Sequence, residues 1–61
     1  MSLYNVEFEY DEFDLHNDGF AQNLIIDDEL SEDEAEASAI QTIKSLYPDA
    51  TNIEIISMVE A

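Results

Sequence analysis

A run of acidic residues divides the chain and limits how it can fold. Seven of the ten residues from Asp27 to Glu36 are acidic. The run closes an apolar segment that ends at Ile26, and it opens the only segment with clear helical periodicity. Acidic side chains in the first turn of a helix interact favourably with the positive end of its dipole. We therefore expect a strand-rich part before the run and a helix that begins within it.

The segment after Leu30 carries the start and stop signals of a helix. Ser31 with Glu34 three residues later matches a capping box, in which each side chain bonds the other residue's backbone N–H. Pro48 disfavours a helical conformation at Tyr47. A helix is predicted over residues 32 to 47. Its apolar positions recur at helical spacing: Ala35, Ala39, Ile43 and Leu46.

Strand patterns lie on both sides of the helix. Every second residue from Tyr4 to Tyr10 is apolar, which predicts a strand over residues 3 to 11 with one buried face. The alternation changes phase near Phe13, so a bulge or a strand end is expected there. His16 to Gly19 has the composition of a turn. The next strands are predicted at Phe20 to Asp27 and at residues 53 to 59.

The order strand, strand, helix, strand predicts one small α+β domain over residues 1 to 61. The simplest sheet is antiparallel in the order 2-1-3, with the helix on one face. Phe20, Leu24 and Ile26 are expected to share a face of the second strand. The predicted inner layer comprises Tyr4, Val6, Phe8, Leu24, Ile26, Ala39, Ile43, Leu46, Ile53 and Ile55.

Net charge decides which partners are reasonable. Sixteen acidic residues and one lysine give a formal charge of −15, while 46% of the residues are hydrophobic. Such a charge often accompanies disorder, but the periodic apolar runs indicate a folded domain. With so few cations, the chain is not expected to bind DNA, RNA or an anionic membrane. A basic protein surface or a cation is the expected partner.

The acidic residues predict a binding surface. Glu7, Glu9 and Asp11 would project from one face of the first strand at intervals of about 7 Å. Such a row could imitate a phosphate backbone and occupy the basic groove of a nucleic-acid-binding protein as an inhibitor; the alternative is a solvated surface with no particular partner. The residues predicted to bind the partner are Glu7, Glu9, Asp11, Asp27, Asp28, Glu29, Glu32, Asp33 and Glu36.

A second hypothesis is a homo-oligomer, such as a dimer, in which the charge serves solubility. One helix cannot cover both faces of the sheet, so apolar side chains on the other face would be exposed. Ile25, Ile56 and Met58 are predicted to lie there and to form the subunit interface.

The sequence gives little sign of catalysis or metal binding. Asp14 to Gly19 resembles the opening of a calcium loop, but Ile25 stands where a bidentate Glu is needed. A cation site around Asp14, His16 and Asp18 is the third hypothesis, whereas the favoured prediction has no metal site. There is no cysteine, and a single helix on a small sheet offers no substrate cleft. We predict no enzyme, no catalytic residue and no cofactor. The absence of a signal peptide and of cysteine fits a cytoplasmic protein.

The second half of the chain resembles a known group of proteins. Ser31-x-x-Glu34-Ala35, an alanine-rich helix, Tyr47-Pro48 and an Ile-x-Ile-Ile strand lie between Asp28 and Val59. In this the chain is similar to very small acidic phage-encoded proteins that inhibit host enzymes, such as the short phage inhibitor of bacterial RNA polymerase. The resemblance implies an inhibitor that binds a basic channel of a host nucleic-acid enzyme, and it assigns no site residue.

Overall fold

The computed structural model describes residues 1–61, which form three strands and one helix. The strands pair in one antiparallel sheet in the order β2-β1-β3, and the helix packs on one face. This confirms the predicted α+β fold with strand order 2-1-3. The elements are β1 (Ser2–Glu12), β2 (Leu15–Ile26), α1 (Glu32–Leu46) and β3 (Thr51–Glu60).

The capping box predicted at the start of α1 is present. The Ser31 Oγ accepts a hydrogen bond from the Glu34 N–H at 3.3 Å, and the Glu34 Oε1 accepts one from the Ser31 N–H at 3.2 Å. At the other end, the Lys44 ammonium donates to the backbone oxygens of Pro48 and Ala50. The only helix therefore starts and stops where its local signals predict. It lacks the length and apolar character needed to cross a membrane.

The turn between β1 and β2 lies earlier than predicted. Phe13 and Asp14 form it, with φ angles of 51° and 64°. Positive φ at both residues of a two-residue loop is typical of a type I′ turn, whose twist matches that of the flanking strands. The prediction of a turn at His16 to Gly19 is wrong, because these residues continue β2.

Gly19 serves close packing instead of a turn. It lies opposite Phe8 in the β1–β2 ladder. A Cβ at this position would lie 2.4 Å from the Phe8 Cζ, so only glycine leaves room for the ring. Glycine within a strand often marks such an approach.

A bulge in β2 reverses the orientation of its first half. Between the pairs Tyr4↔Leu24 and Val6↔Ala21, β2 has one residue more than β1. Asn23 has a φ of 55° there, and its N–H donates to the Asn5 Oδ1 at 3.3 Å. Ala21 consequently packs on the core. Phe20 is exposed, so its predicted place on the face of Leu24 is wrong.

A second bulge changes the phase of β3. Between the pairs Glu7↔Ser57 and Phe8↔Ile55, β3 has the extra residue Ile56. Ile55 and Met58 both pack towards the core as a result, whereas Ile56 is 51% exposed. The predicted position of Met58 on the uncovered face beside Ile25 is therefore wrong, and the proposed subunit interface loses this residue.

The core lies between α1 and the sheet. Leu46, predicted to belong to it, is 61% exposed near the end of the helix. An aromatic cluster closes this end instead, with Tyr10 and Tyr47 stacked at 5.3 Å and Phe8 5.6 Å from Tyr10. Tyr4, Ile53 and Ile55 are partly buried against the core. The buried residues are Val6, Phe8, Leu24, Ile26, Ala39, Ile43 and Ala50.

Candidate functional site

The sheet face turned away from α1, here called the outer face, is uncovered. It is organised in rungs because β1 is the central strand and its residues pair with neighbours on β2, on β3 or on both. The β1 residues of this face are Leu3, Asn5, Glu7, Glu9 and Asp11. Their neighbours include His16, Asp18, Phe20 and Ile25 of β2, and Glu54, Ser57 and Val59 of β3, with Ile56 beside them in the bulge.

One rung places three carboxylates side by side. Glu9 pairs with Asp18 on β2 and with Glu54 on β3. Like charges directly opposite each other in a sheet are destabilising. The only lysine cannot relieve this rung, because Lys44 bonds backbone oxygens beyond the end of the helix. A cationic group beside these three carboxylates would reduce the repulsion.

His16 lies at the edge of this rung. Its Nδ1 is 2.9 Å from the Asp11 Oδ1, and its Nε2 is 3.6 Å from the Glu9 Oε1. The hydrogen bond with Asp11, followed by the contact with Glu9, raises the pKa of His16. The Asn52 amide, 3.0 Å from Asp11, and then His16 lower the pKa of the Asp11 carboxyl. The arrangement tends to keep the imidazole charged and bound to its neighbours.

The same imidazole is close enough to two carboxylates to share a cation with them. Ligand atoms of Glu9, His16 and Asp18 all lie within 4.8 Å of one another. Imidazole nitrogen and carboxylate oxygen are both zinc ligands. The structure thus brings together His16 and Asp18 of the cation hypothesis, whereas Asp14 lies in the exposed turn. Exposed acidic groups often gather without a metal, so the cluster by itself does not define a metal centre.

The other end of the outer face is apolar. Leu3 and Ile25 form one rung, and Val59 lies across from Asn5 in the next. Leu3, Phe20, Ile25, Ile56 and Val59 are all between 45% and 60% exposed. Ile25 and Ile56 occupy the uncovered face as predicted. Phe20 and Val59 were not predicted there because each is placed by a bulge that the alternation of the sequence does not reveal.

The acidic run before and within α1 is a separate surface with several structural roles. Asp27 Oδ1 accepts a hydrogen bond from the Glu29 N–H at 3.0 Å. Asp28 lies 2.7 Å from the amino group of Met1, and the hydrogen bonds from this group and from Ser2 lower the pKa of Asp28. The exposed acids without an ion pair are Asp27, Glu29, Glu32, Asp33, Glu34 and Glu36. Glu32 and Glu36 lie on the helix side of the sheet, so the predicted binding residues form two surfaces instead of one.

Comparisons with protein-family models, with curated proteins and with solved structures find no match. The resemblance to phage inhibitors therefore stays an expectation.

Proposed function

We propose that the protein is an acidic binding module that docks through its outer face on a basic surface of another protein. The rung of Glu9, Asp18 and Glu54 is the observation that carries this proposal. Its like charges are held together by the sheet, and His16 is the only group near them that can carry a positive charge. A partner with lysine or arginine side chains would convert this repulsion into attraction and gain both association rate and specificity.

The groove of a nucleic-acid-binding protein is the basic surface that fits best. Glu7, Glu9 and Asp11 follow one another at alternate positions of β1, which spaces them by about 7 Å along the strand. A regular row of negative charges on an extended backbone is what such a groove binds in its nucleic acid. A module that occupies the groove would compete with the nucleic acid and act as an inhibitor.

The apolar end of the outer face supports the same proposal. Protein interfaces combine a desolvated apolar centre with a polar rim. Leu3, Ile25 and Val59 supply exposed apolar area on this face. The phosphate backbone of a nucleic acid does not offer such area to its partner. We expect the partner to present an apolar patch beside its basic groove.

The test is an affinity capture of partners from a bacterial lysate at low and at high salt. One nucleic-acid-binding protein should be retained and then released by salt, because screening weakens contacts between exposed charges. Glu7→Gln, Glu9→Gln and Glu54→Gln together should reduce its binding at least tenfold. Salt-insensitive capture, or equal retention of every basic protein, would contradict the proposal.

A matched variant removes the same number of charges elsewhere. Glu29→Gln, Asp33→Asn and Asp49→Asn lie in the loop before α1, in its first turn and after Pro48, and all three are exposed. This variant should keep its affinity for the captured protein. If both triple variants lose affinity equally, net charge alone governs the interaction and the outer face is not the docking site.

A homodimer is the second candidate, favoured by the exposed apolar end of the outer face. Two copies carrying −15 each would repel, so salt should strengthen this association and weaken binding to a basic partner. Sedimentation at low and high salt separates the two cases. An Ile25→Glu, Ile56→Glu variant with unchanged mass in solution would reject the dimer.

A further inference from the structure

A pocket between α1 and the edge strand β3 combines apolar walls with two carboxylates. Tyr4, Ile55 and Met58 contribute the sheet side, Ala35 the helix side, and Glu32 and Glu36 lie at its rim. The cavity measures about 290 Å³ and opens to solvent. We call it the edge pocket. Its position follows from the bulge at Ile56, which turns both Ile55 and Met58 towards the helix.

The two carboxylates of the edge pocket have no partner within the chain. Glu32 and Glu36 are both exposed, and neither belongs to an ion pair. They lie one helical turn apart, about 6 Å along the axis. Acids at this spacing repel each other. The helix dipole favours acids in the first turn, and Glu36 lies beyond that turn. Glu32 lies in the first turn and interacts favourably with the dipole, whereas Glu36 has no ion pair or side-chain hydrogen bond that would hold the fold together.

The pocket is matched by a long side chain with an apolar stem and a cationic end. Lysine and arginine both lay their stems on apolar surface while the charged head stays near water. Arginine fits two separated carboxylates better, because its planar guanidinium has five N–H donors in a fixed fork. We propose that the edge pocket binds an arginine side chain of the partner protein.

This inference rests on the proposed function and adds the residue that the partner must present. The edge pocket and the outer face are continuous, because Ile56 lines both the pocket and the depression beside Glu7 and Phe20. β3 pairs only with β1, so nothing in the chain separates the two surfaces at this edge. A partner seated on the outer face can therefore reach around β3 with one arginine.

The test is an NMR titration of the ¹⁵N-labelled full chain with acetyl-Gly-Arg-Gly-amide. Saturable shifts are expected at the amides of Ala35, Glu36, Ser57 and Met58. The citrulline peptide, which has the same shape without the charge, should cause none. The lysine peptide should bind at least threefold more weakly, and equal affinity for lysine would overturn the assignment to arginine.

Variants separate the pocket from general charge attraction. Glu32→Gln with Glu36→Gln should weaken binding of the arginine peptide about fivefold, the size expected for two solvent-exposed ion pairs. Glu29→Gln with Asp33→Asn removes the same charge near the same helix end and should leave the affinity unchanged. Equal losses in the two variants, or shifts that spread over all acidic residues without saturating, would overturn the proposal. Far-ultraviolet circular dichroism verifies that each variant keeps its helix.

Failure of this inference can be distinguished from failure of the proposed function. If the peptide does not bind the pocket but a lysate protein is still captured and released by salt, the assignment of arginine to the edge pocket is wrong. The proposal of an acidic binding module then stands. If the peptide binds as described but the outer-face variant captures the same proteins as the wild type, the outer-face proposal fails instead.

Discussion

At the scale of single residues, the absence of a side chain at Gly19 in β2 decides how the core is packed. Gly19 leaves room for the completely buried ring of Phe8, and its φ is not positive. We expect Gly19→Ala to lower the free energy of unfolding by about 1–3 kcal/mol, as is usual when a packed core is overfilled. Urea denaturation measures the change.

The reason for that loss can be tested with a second substitution. Phe8→Leu removes the ring that the new methyl group would strike, so Gly19→Ala should be less destabilising in the Phe8→Leu background. Gln22→Ala, at an exposed position of the same strand, is the control and should change stability by no more than about 0.5 kcal/mol. A Gly19→Ala effect as small as this control would contradict the packing argument.

His16 and Asp11 titrate as a linked pair. Since folding raises the pKa of His16, its contribution to stability is complete below the unfolded pKa and disappears as pH rises through the folded pKa. The pKa of Asp11 is lowered, so its contribution exists above the unfolded pKa and is lost as pH falls through the folded one. The pair therefore stabilises the fold most at pH values between the unfolded-state pKa of Asp11 and the unfolded-state pKa of His16.

Removal of the Asp11 charge should return the pKa of His16 towards its ordinary value. Asp11→Asn leaves Glu9 at 3.6 Å and Asp18 nearby, so the return should be partial. An NMR titration of the imidazole protons measures it. Glu12→Gln is the matched control, because Glu12 pairs with Leu15 and does not contact His16. If the two variants shift the pKa of His16 equally, the general acidic field and not the Asp11 contact sets it.

The misplaced residues have a common physical cause. Strict alternation in β1 predicts the burial of Val6 and Phe8, and both are completely buried. In β2 and β3, one extra residue at each bulge inverts the faces, which moves Phe20 and Met58 to the opposite side from that predicted. The bulges depend on cross-strand pairing, such as the Asn23 N–H bond to Asn5, that a local pattern does not contain.

At the scale of elements, the stability of α1 depends on the capping box between Ser31 and Glu34. Ser31→Ala removes the acceptor for the Glu34 N–H and should lower stability by about 1 kcal/mol. Ser31→Asp keeps an acceptor at the cap and should recover most of this loss. Ser45→Ala, exposed near the other end of α1, should have little effect. Thermal unfolding compares the three variants, and equal midpoints for Ser31→Ala and Ser45→Ala would contradict the capping role.

The hairpin turn is strained by its own sequence. Phe13 is 77% exposed and has a φ of 51°. This left-handed backbone conformation is energetically unfavourable for residues other than Gly, Asn and Asp. Phe13→Asn with Asp14→Gly gives the preferred type I′ pair and should stabilise the protein by about 1 kcal/mol. For a chain of this size that raises the melting temperature by about 4–8 °C.

A neighbouring substitution tests whether strain is the cause. Leu15→Asn removes a similarly exposed apolar side chain from the strand just after the turn, where φ is not positive. It should not raise the melting temperature. A gain equal to that of the turn variant would attribute the effect to the loss of exposed apolar surface.

Elements differ in how far local sequence determines them. The bounds of the helix could be predicted to within one residue, because the N-cap Ser31, the apolar stripe along α1 and Pro48 each act over one or two turns. The turn could not, since glycine is the commonest turn signal and here it is used for packing against Phe8. The strand order 2-1-3 could be predicted because it is the simplest antiparallel sheet for this order of elements.

At the scale of the whole molecule, the acidic residues divide between two surfaces joined at β3. Composition predicts a strongly acidic protein, but not that Glu9 meets Asp18 and Glu54 in one rung. Nor does it predict that the acids around α1 lie on the helix side of the sheet. The first fact follows from strand register and the second from the packing of α1 on one face of the sheet, and both depend on contacts between distant segments. The charge of the site could thus be predicted, whereas its geometry required the fold.

The total charge should make the stability of the free protein rise with salt. With −15 on one small domain and only His16 to carry a positive charge on the outer face, repulsion opposes the compact state, and ions screen it over about 10 Å at 0.1 M. Thermal unfolding at low and at high sodium chloride should show a higher melting temperature at high salt. Choline chloride at equal ionic strength is the control and should raise it equally, because screening depends on ionic strength alone. A rise that occurs only with a divalent cation would instead indicate specific binding at Glu9, His16 and Asp18, and His16→Ala would then abolish it.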